Sequence, residues 1–193
     1  MKWIVLSIVL FVIIYTAVDF FYRKKGPAYR PYQDAQDRAT TARLLAAGWH
    51  KFPFETRRPL DKPALDNPAT ITRELAGLGP DLEANFAEKP RLMSSIDHVS
   101  APASVAQGAE YTVTFTASLS KLTTQVGEIS LYRRGQELVL IPGIENLPGK
   151  ELMSRWNDAN YAVSFSTATL PPGRYTMRIV AMAPAATWTF IVK

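Results

Sequence analysis

The chain has 193 residues, 47% hydrophobic and 20% charged, a composition typical of one globular domain with an appendage rather than of a two-domain enzyme or a disordered chain. It contains no cysteine and only two histidines, which excludes disulfides, thiolate catalysis, and zinc-thiolate, iron–sulfur and covalent c-type haem sites. The formal net charge of +5 does not indicate a nucleic-acid groove, because the excess basic residues flank a single apolar run: Lys2, Arg23, Lys24, Lys25 and Arg30.

That apolar run is the first predicted element, a helix from Trp3 to Phe21 with only three polar interruptions, Ser7, Thr16 and Asp19. At 1.5 Å per residue it reaches about 28 Å, close to the hydrocarbon thickness of a bilayer. We therefore expect residues 1–25 to form a single transmembrane anchor. A cleaved signal peptide is the competing interpretation, but the run lacks a clear cleavage site between small residues.

Five residues are expected at the ends of this anchor, where amphipathic rings and charges favour the membrane interface: Trp3, Asp19, Arg23, Lys24 and Lys25. Asp19 is the one ionisable group in the run, and an intramembrane carboxylate can act as a proton relay. Arg23 follows four residues later on the same helical face, so the favoured interpretation is an ion pair near the lipid headgroups.

Residues 26–90 follow as a juxtamembrane helix and a proline-rich segment, which we call the strap. The helix is predicted from Gln33 to Ala47, with Gly48 as its C-cap. Its apolar stripe consists of small residues and one leucine, and packing on its own domain or on a partner fits this stripe equally well: Ala35, Ala39, Ala42, Leu45 and Ala46. A second, short helix is predicted between Asn67 as N-cap and Gly77.

The strap contains many prolines and little predicted regular structure, but it is rich in large apolar side chains. Such a segment is normally either a linker or is ordered by the surface on which it lies, and the apolar content favours the second interpretation. We expect its aromatic residues to bind a partner protein and to carry most of the binding energy: Trp49, Phe52 and Phe54. Tyr29 and Tyr32 lie in the extended stretch before the helix, where they could contact lipid headgroups or the partner protein.

From residue 91 to 193 the apolar periodicity changes to two, which predicts an all-β domain. About seven antiparallel strands are expected, centred on residues 92–99, 111–119, 129–131, 138–141, 161–165, 175–179 and 188–192. The third and fourth of these strands are joined at Arg134-Gly135, which is typical of a tight hairpin turn. This count and spacing predict a β-sandwich.

The sequence Leu170-Pro171-Pro172-Gly173-Arg174-Tyr175 resembles the tyrosine corner of immunoglobulin-like and fibronectin-type sandwiches. The resemblance covers only the last hundred residues and lacks the cysteine pair of true immunoglobulin domains. It implies an Ig-like sandwich in which Tyr175 is a core residue with a hydrogen-bonded hydroxyl, and it implies no active site.

No catalytic residue, metal site or cofactor is expected. Asp97 and His98 form the one acid–histidine neighbour pair, but adjacent residues on a strand point to opposite faces and do not make a triad. A copper site of the cupredoxin type needs a cysteine and two histidines, and the C-terminal domain has one histidine. Nucleotide-binding loops and stretches suited to nucleic acid are also missing from the sequence.

We therefore expect a noncatalytic, single-pass accessory subunit that binds the lipid bilayer and stabilises a larger integral membrane protein complex, such as a respiratory or photosynthetic one by analogy. No nucleic acid and no small-molecule substrate are expected. The alternative is a free-standing, membrane-anchored envelope module whose β-sandwich binds a peptide, a glycan or another soluble ligand.

The predicted location is the bacterial inner membrane, with the C-terminal domain in the periplasm. Ig-like sandwiches are mostly extracytoplasmic, and the apolar run lies at the N-terminus like a signal anchor. The positive-inside rule favours the cytoplasm instead, because the basic cluster at 23–25 follows the run.

Overall fold

A computed structural model describes residues 2–22, 31–59, 67–147, 153–154 and 157–193. The chain forms two compact units, Met1–Ala35 and Gln36–Lys193. The described helices are α1 (Lys2–Tyr22), α2 (Pro31–Ala46) and α3 (Pro80–Glu83). The described strands are β1 (His50–Lys51), β2 (Glu55–Arg57), β3 (Thr72–Ala76), β4 (Ser95–Ser100), β5 (Ser104–Val105), β6 (Glu110–Ser118), β7 (Thr124–Arg134), β8 (Glu137–Asn146), β9 (Asp158–Ser166), β10 (Gly173–Ile179) and β11 (Pro184–Val192).

Helix α1 corrects the predicted transmembrane anchor. None of the helices in the described ranges combines the length and the apolar character needed to cross a bilayer. This finding contradicts the single-pass topology and the inner-membrane location that the sequence predicts.

The β-strands form two sheets. The larger sheet has the order β1-β7-β8-β10-β11-β3, with β5 also pairing with β11, and the smaller sheet has the order β2-β9-β6-β4. All neighbours are antiparallel except two pairs, β8 with β10 and β5 with β11, which are parallel. The seven predicted strands of the C-terminal region are confirmed as β4, β6, β7, β8, β9, β10 and β11.

The main core lies between the two sheets and is built from the alternating apolar residues of their strands. Val113 and Phe115 of β6 face Trp188 and Phe190 of β11 within one cluster of buried side chains. Removing such side chains from water is the main favourable contribution to folding, at roughly 25 cal/mol per Å² of apolar surface. The all-β prediction for residues 91–193 is confirmed, in an arrangement compatible with a β-sandwich.

A second, smaller core covers the outer face of the larger sheet. It contains two residues of β8, the residue that follows β10, one residue of α2 and residues of the strap: Val139, Ile141, Val180, Leu44, Trp49, Leu78 and Leu82. The outward residues of β8 are apolar as well as its inward ones, which explains why residues 138–141 form a continuous apolar run rather than an alternating one. Part of the strap is therefore a third layer of the same compact unit.

Helix α2 and its C-cap are confirmed, but its expected apolar stripe is wrong. Gly48 adopts φ +81°, and the Trp49 amide donates to the Leu44 carbonyl at 2.8 Å, a bonding pattern that ends helices. After this cap the chain turns back toward the β-domain. Leu44 is buried, whereas Leu45, which the expected stripe contained, is 49% exposed.

The short helix predicted between Asn67 and Gly77 is also wrong, because this stretch is occupied by strand β3. Pairing with β11 satisfies its backbone, with Thr72 opposite Thr187 and Ala76 opposite Pro184. Gly77 does have a positive φ of +80°, but it ends a strand, and its amide donates to the Ala181 carbonyl at 2.8 Å. Tertiary sheet pairing therefore overrides the local helix-capping pattern.

Candidate functional site

The strap adds a strand to three sheet edges. Strand β1 pairs with β7, β2 pairs with β9, and β3 pairs with β11, all antiparallel. Unpaired edges are ready templates for other chains, and natural proteins cover them. The described part of the strap is thus ordered by the β-domain of its own chain.

Trp49, the first of the expected partner-binding residues, lies in the smaller core and is 2% exposed. The Arg134 guanidinium lies 4.4 Å from the centroid of its ring, a cation–π contact. The indole Nε1 is buried and has no hydrogen-bond partner within the described ranges. A partner protein would meet very little of this side chain.

Phe52 and Phe54 contact the main core. Phe52 is 7% exposed, and its ring meets that of Phe165 edge-on at 5.6 Å between centroids. Its amide donates to the Leu131 carbonyl at 2.7 Å, which continues the pairing of β1. Phe54 is half-buried against the same core. Both rings therefore have a structural role in the main core. Binding of a partner protein by Phe52 and Phe54 stays a prediction.

Lys51 holds β1 on β7 through an ion pair. Its Nζ lies 2.8 Å from Glu128 Oε1, and both side chains are largely exposed. The hydrogen bond between them raises the pKa of Lys51 and lowers the pKa of Glu128. The pair therefore favours the charged form of both groups at neutral pH.

The remaining residues expected at interfaces are only partly placed. Tyr29, Arg23, Lys24 and Lys25 lie outside the described residues, and so does the proposed pair of Asp19 with Arg23. Tyr32 lies in α2 and Asp19 in α1, and their side chains are outside the description. Trp3 of α1 is 83% exposed.

Helix α1 exposes large apolar side chains along its length, from Trp3 to Val18, each at least 49% exposed. Residues 8–15 are consecutive apolar positions, so these side chains cover every face of the helix. A helix that is apolar on all faces is stable only when other apolar surface covers it.

An open surface groove of about 430 Å³ lies on the outer face of the larger sheet, beside the strap. We call it the arginine groove. Its lining comes from the β7–β8 turn and the neighbouring strand β10: Arg134, Gln136, Glu137, Arg174 and Thr176. The parallel pairing of β8 with β10 makes this possible, because it places Glu137 directly opposite Thr176.

The two arginines of this groove differ in their partners. Arg134 is held by Glu137 at 3.3 Å, by Asp81 of α3 at 3.6 Å and by the ring of Trp49. Arg174 is exposed and has no ion pair among the described side chains. Sequence reasoning missed the groove, since it treated Arg134 only as a turn residue and Arg174 only as a variable position beside Tyr175.

The Asp97–His98 pair has the geometry of a bulge and not of a catalytic dyad. Asp97 Oδ2 accepts hydrogen bonds from Ser95 Oγ at 2.7 Å and from Ser118 Oγ at 3.4 Å. The register of β4 against β6 shifts between Asp97 and Ser100, and His98 adopts φ +48° there. Within the described ranges, no group of three or more potential ligand side chains is placed to hold a metal ion.

Comparison of the chain with protein-family models, with curated proteins and with solved structures found no match.

Proposed function

We propose that the protein is a noncatalytic accessory subunit of a larger protein complex, joined to it by helix α1. The observation that supports this proposal is that exposed apolar side chains cover every face of α1. Contiguous exposed apolar surface of this extent marks an interaction site. The β-domain has its own core, and strands of the strap cover three of its sheet edges, so it is the structural part of the subunit. That the complex is a membrane complex stays a prediction from the sequence.

We further infer an Ig-like relationship for the β-domain. The supporting observation is the hydroxyl of Tyr175, which donates to the Pro171 carbonyl at 2.7 Å, the backbone contact expected of a tyrosine corner. The strand order departs from the immunoglobulin pattern, because β8 lies between β7 and β10 and runs parallel to β10. The β-domain is therefore assigned an Ig-like architecture but no immunoglobulin subfamily.

The test is co-purification of the full-length chain from its native source after gentle detergent extraction. We expect one complex of fixed stoichiometry. Leu10→Glu with Ile14→Glu places two charges on one face of α1 and should release the protein from the complex. The matched control is Ser120→Glu with Lys121→Glu, which adds charge to an exposed loop of the β-domain and should leave the complex intact.

A monomeric protein under these conditions would contradict the proposal. It would favour the alternative left open by the sequence, a free-standing module that binds a soluble ligand.

A further inference from the structure

The strap covers only part of the outer face of the larger sheet, and the arginine groove is the polar part beside it. One side of the groove is formed where Arg134 contacts Asp81 of α3 and Trp49 of the strap. The other side continues onto β10, where Arg174 and Thr176 point outward because Tyr175 between them is buried in the main core.

The charges of the groove leave one cation without a counter-charge. Arg134 already has two carboxylates within 4 Å, those of Glu137 and Asp81. Arg174 has none within the described part of the chain. The five lining residues hold two arginines and one glutamate, a net charge of +1 that a single carboxylate would balance. A phosphate dianion would exceed that charge and would be repelled more strongly than a carboxylate by Glu137 and by Asp81, so a carboxylate is the better match.

The other lining groups favour a peptide over a small ion. Gln136 and Thr176 contribute an amide and a hydroxyl, which can bind backbone groups of an extended segment. Ile191 lies directly opposite Arg174 across the β10–β11 pair and is 41% exposed, so it offers apolar contact next to the free charge. Arginine with neighbouring apolar surface is a common composition of protein interfaces.

We propose that the arginine groove binds an acidic segment of a partner protein, with an Asp or Glu carboxylate of that segment paired to Arg174. The inference rests on the proposed accessory function, since it names the chemistry of the partner. Arg134 is already held by contacts within the chain, whereas Arg174 is the cation that pairs with the partner. Because the pair is near the surface, binding weakens as salt screens it.

The test measures binding of two peptides, each labelled at its N-terminal amine with a zwitterionic rhodamine dye, to the full-length chain by fluorescence anisotropy, in nonionic detergent. The acidic peptide is (Glu-Gly)3-amide, and the neutral one is (Gln-Gly)3-amide. We expect the acidic peptide to bind and the neutral one not to bind. Arg174→Gln should weaken the acidic peptide about ten-fold, the loss typical of one charge-assisted contact.

The matched control is Lys121→Gln, which removes an equal charge beyond the opposite end of β7 from the groove. It should leave the Kd within about two-fold. Circular dichroism of Arg174→Gln should match that of the wild type, because the side chain is exposed. Equal binding of both peptides, equal weakening by both variants, or no binding at low salt would each overturn the inference.

The result is separable from that of the co-purification experiment. If the wild-type protein does not bind the acidic peptide but still co-purifies with its complex, the groove is rejected as the site for an acidic segment. The proposed accessory function then stands. A monomeric protein that still binds the acidic peptide through Arg174 would reject the accessory function, and with it the assignment of the segment to a subunit of that complex.

Discussion

Trp188 donates its indole Nε1–H to the hydroxyl of Tyr111 over 2.9 Å, and that hydroxyl donates to the Pro102 carbonyl at 2.8 Å. Both side chains are buried in the main core. Burial raises the pKa of the Tyr111 hydroxyl well above its usual range, and the bond from Trp188 acts in the opposite direction. The phenol therefore stays protonated above its ordinary pKa of 10 and joins β6, β11 and the segment after β4.

Tyr111→Phe should lower the free energy of unfolding by about 1–3 kcal/mol, because it leaves the buried indole N–H of Trp188 without an acceptor. Denaturant unfolding monitored by circular dichroism measures this. The same substitution in a Trp188→Phe background should cost less, since the orphaned donor is then absent. Equal costs in the two backgrounds would show that the bond does not couple the two residues.

Trp49→Ala should destabilise the protein by about 3–5 kcal/mol, because it empties the smaller core and removes the contact with Arg134. The measurement is again equilibrium unfolding. Phe54→Ala serves as the comparison and should cost less, because Phe54 is only half-buried. If Trp49→Ala kept full stability and released a partner instead, the ring would be an interface residue as the sequence suggested.

Glu128→Gln should cost about 0.5 kcal/mol at neutral pH, the usual value for an exposed ion pair. The pKa of Glu128 is lowered in the folded state, so its contribution is present above the ordinary value of 4.5 and is lost as the pH falls through the lowered one. The pKa of Lys51 is raised, so its contribution is present below 10.5 and is lost as the pH rises through the raised one.

The measurement for this pair is the difference in unfolding free energy between wild type and variant across the pH range. It should be constant between the two ordinary pKa values and vanish in strong acid. Glu110→Gln, at an exposed carboxylate without an ion pair in the described ranges, should show no such profile. A difference that grows on acidification would contradict the assigned direction of the shift.

His98→Gly should be more stable than His98→Ala by about 1 kcal/mol, because φ +48° is strained for any residue with a Cβ and free for glycine. Both variants remove the imidazole, so their difference isolates the backbone. Thermal unfolding at fixed pH compares them. An alanine variant as stable as the glycine one would mean that the bulge relaxes to an ordinary conformation.

The strands of the β-domain are predictable because their information is local. Tyr111, Val113 and Phe115 alternate with polar residues, and Leu170 with Tyr175 defines the corner, so each strand can be recognised from fewer than ten residues. The same applies to Gly48, which needs only its positive φ to end α2.

The strap is not predictable in this way, because its partners lie far away in the sequence. Lys51 meets Glu128 across 77 residues, and Thr72 bonds to Thr187 across 115. Nothing near Asn67 shows that an edge of β11 is free to pair, so the capping pattern predicts a helix. The arginine groove depends in the same way on the parallel pairing of β8 with β10, which no local periodicity encodes.

The three edge strands of the strap are also synthesised before the strands with which they pair. A ribosome makes β1, β2 and β3 before β7, β9 and β11, so each early segment emerges without the edge that it will cover. Strand β3 waits longest, since Thr187 of its partner β11 follows Thr72 by 115 residues, and β11 also pairs with β10 and β5. The nascent β3 therefore lacks its sheet partner until β11 emerges, and slowing translation before residue 184 should prolong that interval.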